Sequence, residues 1–243
     1  MNKPTVVLLH GVGLDHTTWA AVASLLRDDY DVVAPDLPGH GSRPPVDATV
    51  SLADLAEGVA DDVPPGSHLV GFSLGALVAQ HLAVHRPELV ATLTSVSSVC
   101  RRTPAEREAV LQRLAVAERD FAASAAASVR RWYDGTTVSS SDVGRTERTL
   151  LGNDPASFLS CYRVFATGDA DLAPRLADIT APSLAVTGEE DPGSTPEMTR
   201  RLAAAIPDCR AVVVPGARHM LPVERPRELV DCLTTFIGGE VHA

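Results

Sequence analysis

Basic residues are scarce in this 243-residue chain: 31 aspartates and glutamates outnumber 21 lysines and arginines, which gives a net charge of -10. This balance argues against nucleic acid or an anionic membrane as a partner, because both call for basic patches. The apolar runs are all far shorter than the roughly 20 residues that cross a membrane. No signal-peptide pattern precedes the first apolar run, so we expect a cytoplasmic protein.

Metal-binding, redox and dinucleotide motifs are also missing. His81 and His85 have the i, i+4 spacing that can present two metal ligands, but no third ligand accompanies them. Gly11 and Gly13 do not complete a G-x-G-x-x-G pattern, because position 16 is a histidine. The sequence therefore predicts no metal and no organic cofactor. The four cysteines lack metal or redox spacing and are expected to be reduced thiols: Cys100, Cys161, Cys209 and Cys232.

Short runs rich in β-branched residues alternate with helical segments. This alternation predicts an α/β fold: a mostly parallel sheet, built by right-handed crossovers and covered by helices on both faces. The predicted strands are Thr5–Leu9, Asp31–Ala34, His68–Gly71, Ala91–Ser97, Ser183–Thr187 and Arg210–Val214. The predicted helices beside them are Thr18–Arg27, Ser51–Val63, Leu74–His85, Pro196–Ala205 and Arg227–Phe236.

The alternation stops between the fourth and fifth predicted strands. We expect residues 100–167 to form a helical cap, inserted into a core made of residues 1–99 and 168–243. The cap is predicted to contain two helical stretches separated by a polar, turn-like segment: Pro104–Tyr133 and Pro155–Ala166, with Gly135–Gly144 between them.

One glycine-flanked serine lies between a predicted strand and a predicted helix, in Gly71-Phe72-Ser73-Leu74-Gly75. Strand, G-x-S-x-G and helix in that order are typical of a nucleophile elbow, whose tight turn lifts the serine hydroxyl above the sheet. A serine hydroxyl is a poor nucleophile until a histidine takes its proton and a carboxylate orients that histidine. Ser73 is therefore the candidate nucleophile, provided that the two partners exist.

Candidate partners follow two later strands in the order serine, acid, histidine that this architecture uses. Asp191 is the third residue after Gly188, and His219 follows the last predicted strand. Both lie beyond the carboxyl ends of strands, where open α/β sheets place their sites. The backbone N–H groups of Val12 and Leu74 are the candidates for an oxyanion hole.

These motifs together resemble the α/β-hydrolases that carry a helical cap. The resemblance implies that Ser73, Asp191 and His219 form a catalytic triad. It also implies that His10 and His40 fix the shape of their loops through hydrogen bonds. The matching segments span nearly the whole chain in the family's order: His10–Gly13, Asp36–Ser42, Gly71–Gly75, Gly188–Asp191 and Gly216–His219. Most members carry two further strands before the His-Gly motif, and without them Asp31–Ala34 should lie near a sheet edge. Exposed edges favour pairing, so the chain is expected to be a monomer or a homodimer.

A weaker similarity connects the chain to the 3-oxoadipate enol-lactonases. It lies in Asp191-Pro192, Pro196–Met198, Ala205–Pro207 and Asp171–Leu176. It implies a small lactone substrate that carries a carboxylate, for which one cap arginine, Arg163, is the predicted partner. The candidate substrate-binding residues are Trp132, Tyr133, Tyr162, Arg163, Phe165 and Met220. For the aromatic members, packing between cap helices is the alternative role.

The sequence thus predicts a serine hydrolase that cleaves a small carboxylic ester or lactone through an acyl-enzyme on Ser73. A carbon–carbon hydrolase of aromatic meta-cleavage products is an alternative, because it uses a similar triad and cap. Elimination and perhydrolysis are further chemistries for the same scaffold. An alternative of another class is a non-catalytic ligand-binding protein, because fold alone does not fix function.

Overall fold

A computed structural model describes residues 3–240 of the chain, and in it six parallel strands form a single sheet. The strand order is β2-β1-β3-β4-β5-β6, which confirms the predicted α/β fold and the edge position of the second strand. All five pairings are parallel. The strands are β1 (Thr5–Leu9), β2 (Asp31–Val33), β3 (Ser67–Phe72), β4 (Val90–Val96), β5 (Ser183–Gly188) and β6 (Cys209–Val214).

Helices flank this sheet. Among the described residues these are α1 (Ala20–Leu26), α2 (Leu52–Ala60), α3 (Leu74–His85), α4 (Pro104–Arg119), α5 (Phe121–Tyr133), α6 (Ser140–Leu151), α7 (Pro155–Leu172), α8 (Pro196–Ala205), α9 (Leu221–Glu224) and α10 (Pro226–Glu240). None of the helices within residues 3–240 is long and apolar enough to span a bilayer.

The core lies around β3 and α3. Every residue of β3 is buried, as expected for a central parallel strand with helices on both faces. The helix α3 is buried over most of its length, because α2 packs against it on one side and α7 on another. A helix that is apolar nearly all round fits only such an interior position. The turn between β3 and α3 is therefore held between two rigid, buried elements.

Four helices, α4 to α7, connect β4 to β5, and we call residues 104–172 the insert. The structure corrects three details of the prediction. The long predicted helix is two helices, because Asp120 leaves the helical conformation and its side chain accepts the Ala123 N–H at 2.9 Å. The second half of the predicted turn is the start of α6, which Ser139 caps. The predicted boundary between residues 167 and 168 falls inside α7.

A buried ion cluster joins the start of the insert to its last helix. Arg102 Nη1 lies 2.7 Å from Asp169 Oδ1 of α7, and both side chains are almost fully buried. Arg107 of α4 adds a second contact to Asp169 at 3.0 Å. The backbone N–H of Arg102 also donates to Asp169 Oδ2, so the carboxylate is fully occupied. This cluster fixes how α4 and α7 are oriented at the sheet.

Candidate active site

Ser73 lies in the turn between β3 and α3, with φ 55° and ψ -111°. A positive φ in a non-glycine residue costs on the order of 1–3 kcal/mol, so the surrounding packing must enforce it. The flanking glycines make the turn sterically feasible. A Cβ on Gly71 would lie 2.2 Å from the Gly75 carbonyl oxygen, and one on Gly75 would lie 2.3 Å from the Leu9 oxygen.

Asp191 and His219 form a buried pair, in which Asp191 Oδ2 lies 2.7 Å from His219 Nδ1. The other carboxylate oxygen, Oδ1, accepts the backbone N–H groups of Gly193 and Ser194, each at 2.9 Å. These bonds hold the carboxylate in one orientation and favour the tautomer with the proton on Nδ1. The Nε2 atom of His219 is then the nitrogen that can accept a proton.

The loops after β5 and β6 touch each other, which explains how residues 28 positions apart meet. A Cβ on Gly188 would lie 2.3 Å from the Ala217 carbonyl oxygen, so only glycine allows this approach. The Glu190 N–H also donates to that oxygen at 2.8 Å. Glu189 and Glu190 themselves are exposed, and within residues 3–240 the carboxylate that contacts His219 is that of Asp191.

Three contacts that sequence patterns did not indicate hold His219 in place. Ser97, at the end of β4, donates its hydroxyl to the His219 carbonyl at 3.1 Å. The Phe72 ring, next to Ser73 in the chain, lies 5.1 Å from the imidazole, centre to centre. The Trp132 ring of α5 stacks on the imidazole at 5.5 Å with an interplanar angle of 24°. The insert therefore contacts the candidate base directly.

The loop after β1 runs beside the candidate nucleophile. Gly11 lies so close to Ser73 that a Cβ on Gly11 would be 3.2 Å from the Ser73 Cβ. Val12 is the next residue of this loop, so its backbone also lies near Ser73. The loop is fixed by His10, whose Nδ1 bonds to the Gly11 oxygen at 2.8 Å and whose Nε2 accepts the Leu37 N–H at 2.9 Å. Burial, together with the nearby His40, lowers the pKa of His10 to about 3, so its imidazole stays neutral.

A pocket between the insert and the strand ends contains these groups. Val12, Ser73 and His219 lie on its core side, and the 192–194 segment completes that wall. Of the predicted substrate-binding residues, Trp132, Tyr162 and Phe165 line it. The remaining lining residues come from the four insert helices: Arg113, Ala125, Ser128, Arg131, Leu150 and Phe158.

Three predicted substrate-binding residues lie elsewhere. The Arg163 side chain is exposed on α7 and pairs with Glu118 at 3.0 Å, so the prediction that it faces the pocket is wrong. Tyr133 is buried between α5 and α6, where its hydroxyl bonds to Thr146 at 2.8 Å and burial raises its pKa to about 12. Met220 is fully buried in the core and does not line the pocket.

Several lining residues were missed, and their spacing could have revealed some of them. Phe158, Tyr162 and Phe165 follow an i, i+4, i+7 pattern, which places them on one face of α7. Arg163 is one residue beyond Tyr162 and so points about 100° away around the helix axis. Arg113 and Ser194 lie in segments whose sequence carries no comparable pattern.

No metal site accompanies the pocket in the part of the chain that the structure describes. Residues 3–240 contain no group of three histidine, cysteine or carboxylate side chains placed to hold an ion. His81 and His85 do lie side by side, with ring centres 4.3 Å apart, but they form no such group with other described residues.

Residues 6–232 match the alpha/beta hydrolase family. The (E)-2-((N-methylformamido)methylene)succinate hydrolase of Acinetobacter baylyi is 30% identical over 236 residues, covering 96% of this chain and 89% of that protein. The pimeloyl-[acyl-carrier protein] methyl ester esterase of Aeromonas hydrophila is 30% identical over 244 residues, covering 97% and 96%. The enol-lactonase from Burkholderia xenovorans LB400 shares the fold, with a TM-score of 0.83 at 24% identity, covering 98% of this chain and 92% of that one.

Proposed function

Since the chain belongs to the alpha/beta hydrolase family and is a hydrolase, we propose that it cleaves a small carboxylic ester or lactone through an acyl-enzyme on Ser73. The observation that carries this proposal is the 2.7 Å contact between Asp191 and His219, in a pocket that also contains Ser73. A nucleophile, a base and a group that orients the base are the parts that acyl transfer needs.

In the first half of the proposed reaction, Ser73 Oγ attacks the substrate carbonyl while His219 Nε2 takes the hydroxyl proton. Asp191 keeps the imidazole in the required tautomer and stabilises the imidazolium that forms. The backbone N–H groups of Val12 and Leu74 donate to the oxyanion of the tetrahedral intermediate. Collapse of this intermediate breaks the ester bond, and the leaving alkoxide receives the proton from His219.

In the second half, water replaces the alcohol. His219 Nε2 takes a proton from the water as it attacks the acyl carbon. The new intermediate then collapses with cleavage of the Ser73 Oγ–acyl bond, His219 returns the proton to Ser73 Oγ, and the carboxylic acid leaves. We propose that the insert acts as the cap over these steps, because its Trp132 stacks on the base and its aromatic side chains line the pocket. A lactone follows the same route, with the alcohol still attached to the acid after ring opening.

The names of the relatives favour an acid derivative as the substrate. One relative is named as the hydrolase of a substituted succinate and another as a methyl ester esterase. Neither name describes carbon–carbon cleavage. A protein that only binds a ligand has no physical need for the strained Ser73 backbone or for the buried Asp191–His219 pair.

Replacing the nucleophile tests the proposal. Ser73→Ala should lower kcat by about 10⁴- to 10⁶-fold, as expected when a triad nucleophile is removed. The substrates are p-nitrophenyl acetate and a panel of short methyl esters, lactones and meta-cleavage products, and a phosphonate probe followed by mass spectrometry locates the reactive serine. Ser141→Ala, at an exposed position of α6, is the matched control and should behave as wild type.

Each other outcome rejects the proposal. Activity above a tenth of wild type in Ser73→Ala would remove Ser73 as the nucleophile. Turnover of meta-cleavage products alone would establish the carbon–carbon hydrolase. A wild-type protein that turns over nothing, and whose Ser73 does not react with the phosphonate, would be a ligand-binding protein.

A further inference from the structure

Two arginines line the same pocket as Ser73 and His219: Arg113 from α4 and Arg131 from α5. Among residues 3–240, neither of them forms an ion pair with a carboxylate. Arg131 Nη2 donates to Ser128 Oγ at 2.9 Å, and its guanidinium carbon lies 6.0 Å from the centre of the Trp132 ring. These are contacts to neutral groups, so they supply no ion-pair partner for the Arg131 guanidinium.

Three other arginines near the insert pair with carboxylates. Arg102 and Arg107 share Asp169, and Arg163 pairs with Glu118. Arg119, Arg130 and Arg148 of the insert also form no ion pair among the described residues, but they are exposed and water screens their charge, whereas Arg113 and Arg131 are partly buried. Asp191 is the pocket's nearby carboxylate, but it is fully used by His219 and by two backbone N–H groups.

The surroundings of the two arginines make an unpaired charge unfavourable. Burial lowers the pKa of the Arg131 guanidinium most strongly. Tyr162 and the more distant Asp191 raise that pKa, while the positive charge of Arg113 lowers it, so the net direction is downward. A partly buried charge without a counter-ion is destabilising, and a bound anion would relieve this. Guanidinium groups bind carboxylates by two parallel hydrogen bonds, which suits a small pocket that must fix orientation.

We propose that the substrate carries a second, ionised carboxylate, and that Arg131 together with Arg113 binds it while the ester carbonyl lies at Ser73. The inference rests on the proposed function and names its substrate class: a half-ester or lactone of a short dicarboxylic acid. Phe158, Tyr162 and Phe165 line the pocket and contact the hydrocarbon spacer between the two acid groups. Ser194 Oγ is buried without a partner among the described residues and lines the same pocket, so it offers a further hydrogen bond to this ligand.

A matched pair of substrates tests the charge requirement. Monomethyl glutarate carries the free carboxylate, and its neutral analogue, methyl 4-carbamoylbutanoate, replaces it with an amide of similar shape. Wild-type kcat/KM should favour the acid. Arg131→Met removes the charge but keeps much of the side-chain bulk, and it should lower the acid-to-amide ratio of kcat/KM by roughly 10- to 100-fold, because charge-assisted bonds are the strong ones.

Three further variants separate charge from packing. Arg131→Lys should retain part of the preference, because it keeps a positive charge but loses the fork geometry. Arg113→Met should lower the ratio in the same direction as Arg131→Met. Arg163→Met, at the exposed arginine of α7, is the control and should leave the ratio unchanged. A drop in Arg163→Met equal to that in Arg131→Met would overturn the proposal.

Binding of glutarate itself separates this inference from the proposed function. By calorimetry, glutarate should bind to Ser73→Ala and lose most of its affinity in Ser73→Ala/Arg131→Met. If glutarate binds in this way but no ester is cleaved, the proposed function fails and the carboxylate pocket stands. If esters are cleaved through Ser73 with no acid preference, and glutarate does not bind, the inference fails and the hydrolase stands.

The thermal stability of the empty protein gives an independent test. A residue with a purely structural role destabilises the fold when it is replaced. Removing a partly buried charge that has no ion-pair partner should instead leave Tm unchanged or raise it, because a binding site can be retained at a cost to the stability of the empty protein. A clear fall of Tm in both Arg131→Met and Arg113→Met would assign the two arginines to packing and overturn the proposal.

Discussion

Asp191 uses its two carboxylate oxygens for different tasks. Oδ2 contacts the imidazole of His219, while Oδ1 accepts two backbone N–H groups of its own loop. The loop bonds fix the direction in which Oδ2 points. An amide at this position would have to keep its oxygen on the two N–H donors, which leaves the NH₂ group facing His219.

Asp191→Asn should therefore lower kcat by about 10⁴-fold, because the amide selects the imidazole tautomer that carries its proton on Nε2. A p-nitrophenyl ester assay of purified protein measures this. The control is Glu190→Gln, an exposed neighbouring carboxylate that should stay within about twofold of wild type since surface changes are mild. If the glutamate change proved the more harmful, Asp191 would not be the orienting acid.

Pocket residues that a local sequence pattern marks were predicted correctly, whereas those whose position depends on the packing of the insert helices were not. Ser73, Asp191 and His219 follow strand ends, and the strands of a parallel sheet bring those ends to one edge. Which arginine faces the pocket depends instead on how each insert helix is rotated against the core. Arg163 follows Tyr162 directly in the sequence, yet it points to solvent, whereas Arg131 lines the pocket.

At the scale of elements, the insert depends on the ion cluster at its base. Asp169→Asn would leave Arg102 buried without a full counter-charge, which should lower the free energy of unfolding by about 3–5 kcal/mol. Urea denaturation followed by circular dichroism measures the change. Asp178→Asn removes one partner of the exposed Arg175–Asp178 pair and should cost less than about 1 kcal/mol. Equal losses in the two variants would show that burial of the cluster does not matter.

Strands and core helices were predictable because their signals are local. β1, α3 and α8 have the predicted bounds, since β-branched runs, glycines and an N-terminal proline mark their ends. The insert was harder. Serine, aspartate and glycine near the start of α6 resemble a turn, although Ser139 in fact caps a helix. Conversely, residues 105–133 contain no glycine or proline, so the sequence did not indicate that one helix ends at Arg119 and that Asp120 caps the next.

For the molecule as a whole, the buried histidines predict how stability responds to acid. The pKa of His10 is about 3 in the folded chain, and burial also lowers that of His40, whereas both should titrate near 6.5 when unfolded. The unfolded state therefore binds more protons below pH 6.5, so stability is lost as pH falls from 6.5 towards 3. At pH 5, His10 alone accounts for a loss of about 2 kcal/mol.

Urea unfolding at pH 7.5 and pH 5 tests this. His10→Gln should be less stable than wild type at pH 7.5, because the Leu37 and Gly11 contacts are weakened, yet it should lose less stability on acidification. Ser141→Ala, at an exposed position of α6, is the control and should keep the wild-type pH dependence. An unchanged pH dependence in His10→Gln would show that another group governs acid unfolding.

The placement of the insert has a consequence for substrate choice. Most of the pocket wall comes from one uninterrupted stretch of the chain, residues 104–172, while the residues proposed for chemistry lie outside it. This wall could therefore be exchanged as one segment, provided that the contacts of Asp169 with Arg102 and of Trp132 with His219 are kept. Two chains with this arrangement could thus accept different substrates through differences in that segment alone, while the residues proposed for chemistry stay the same.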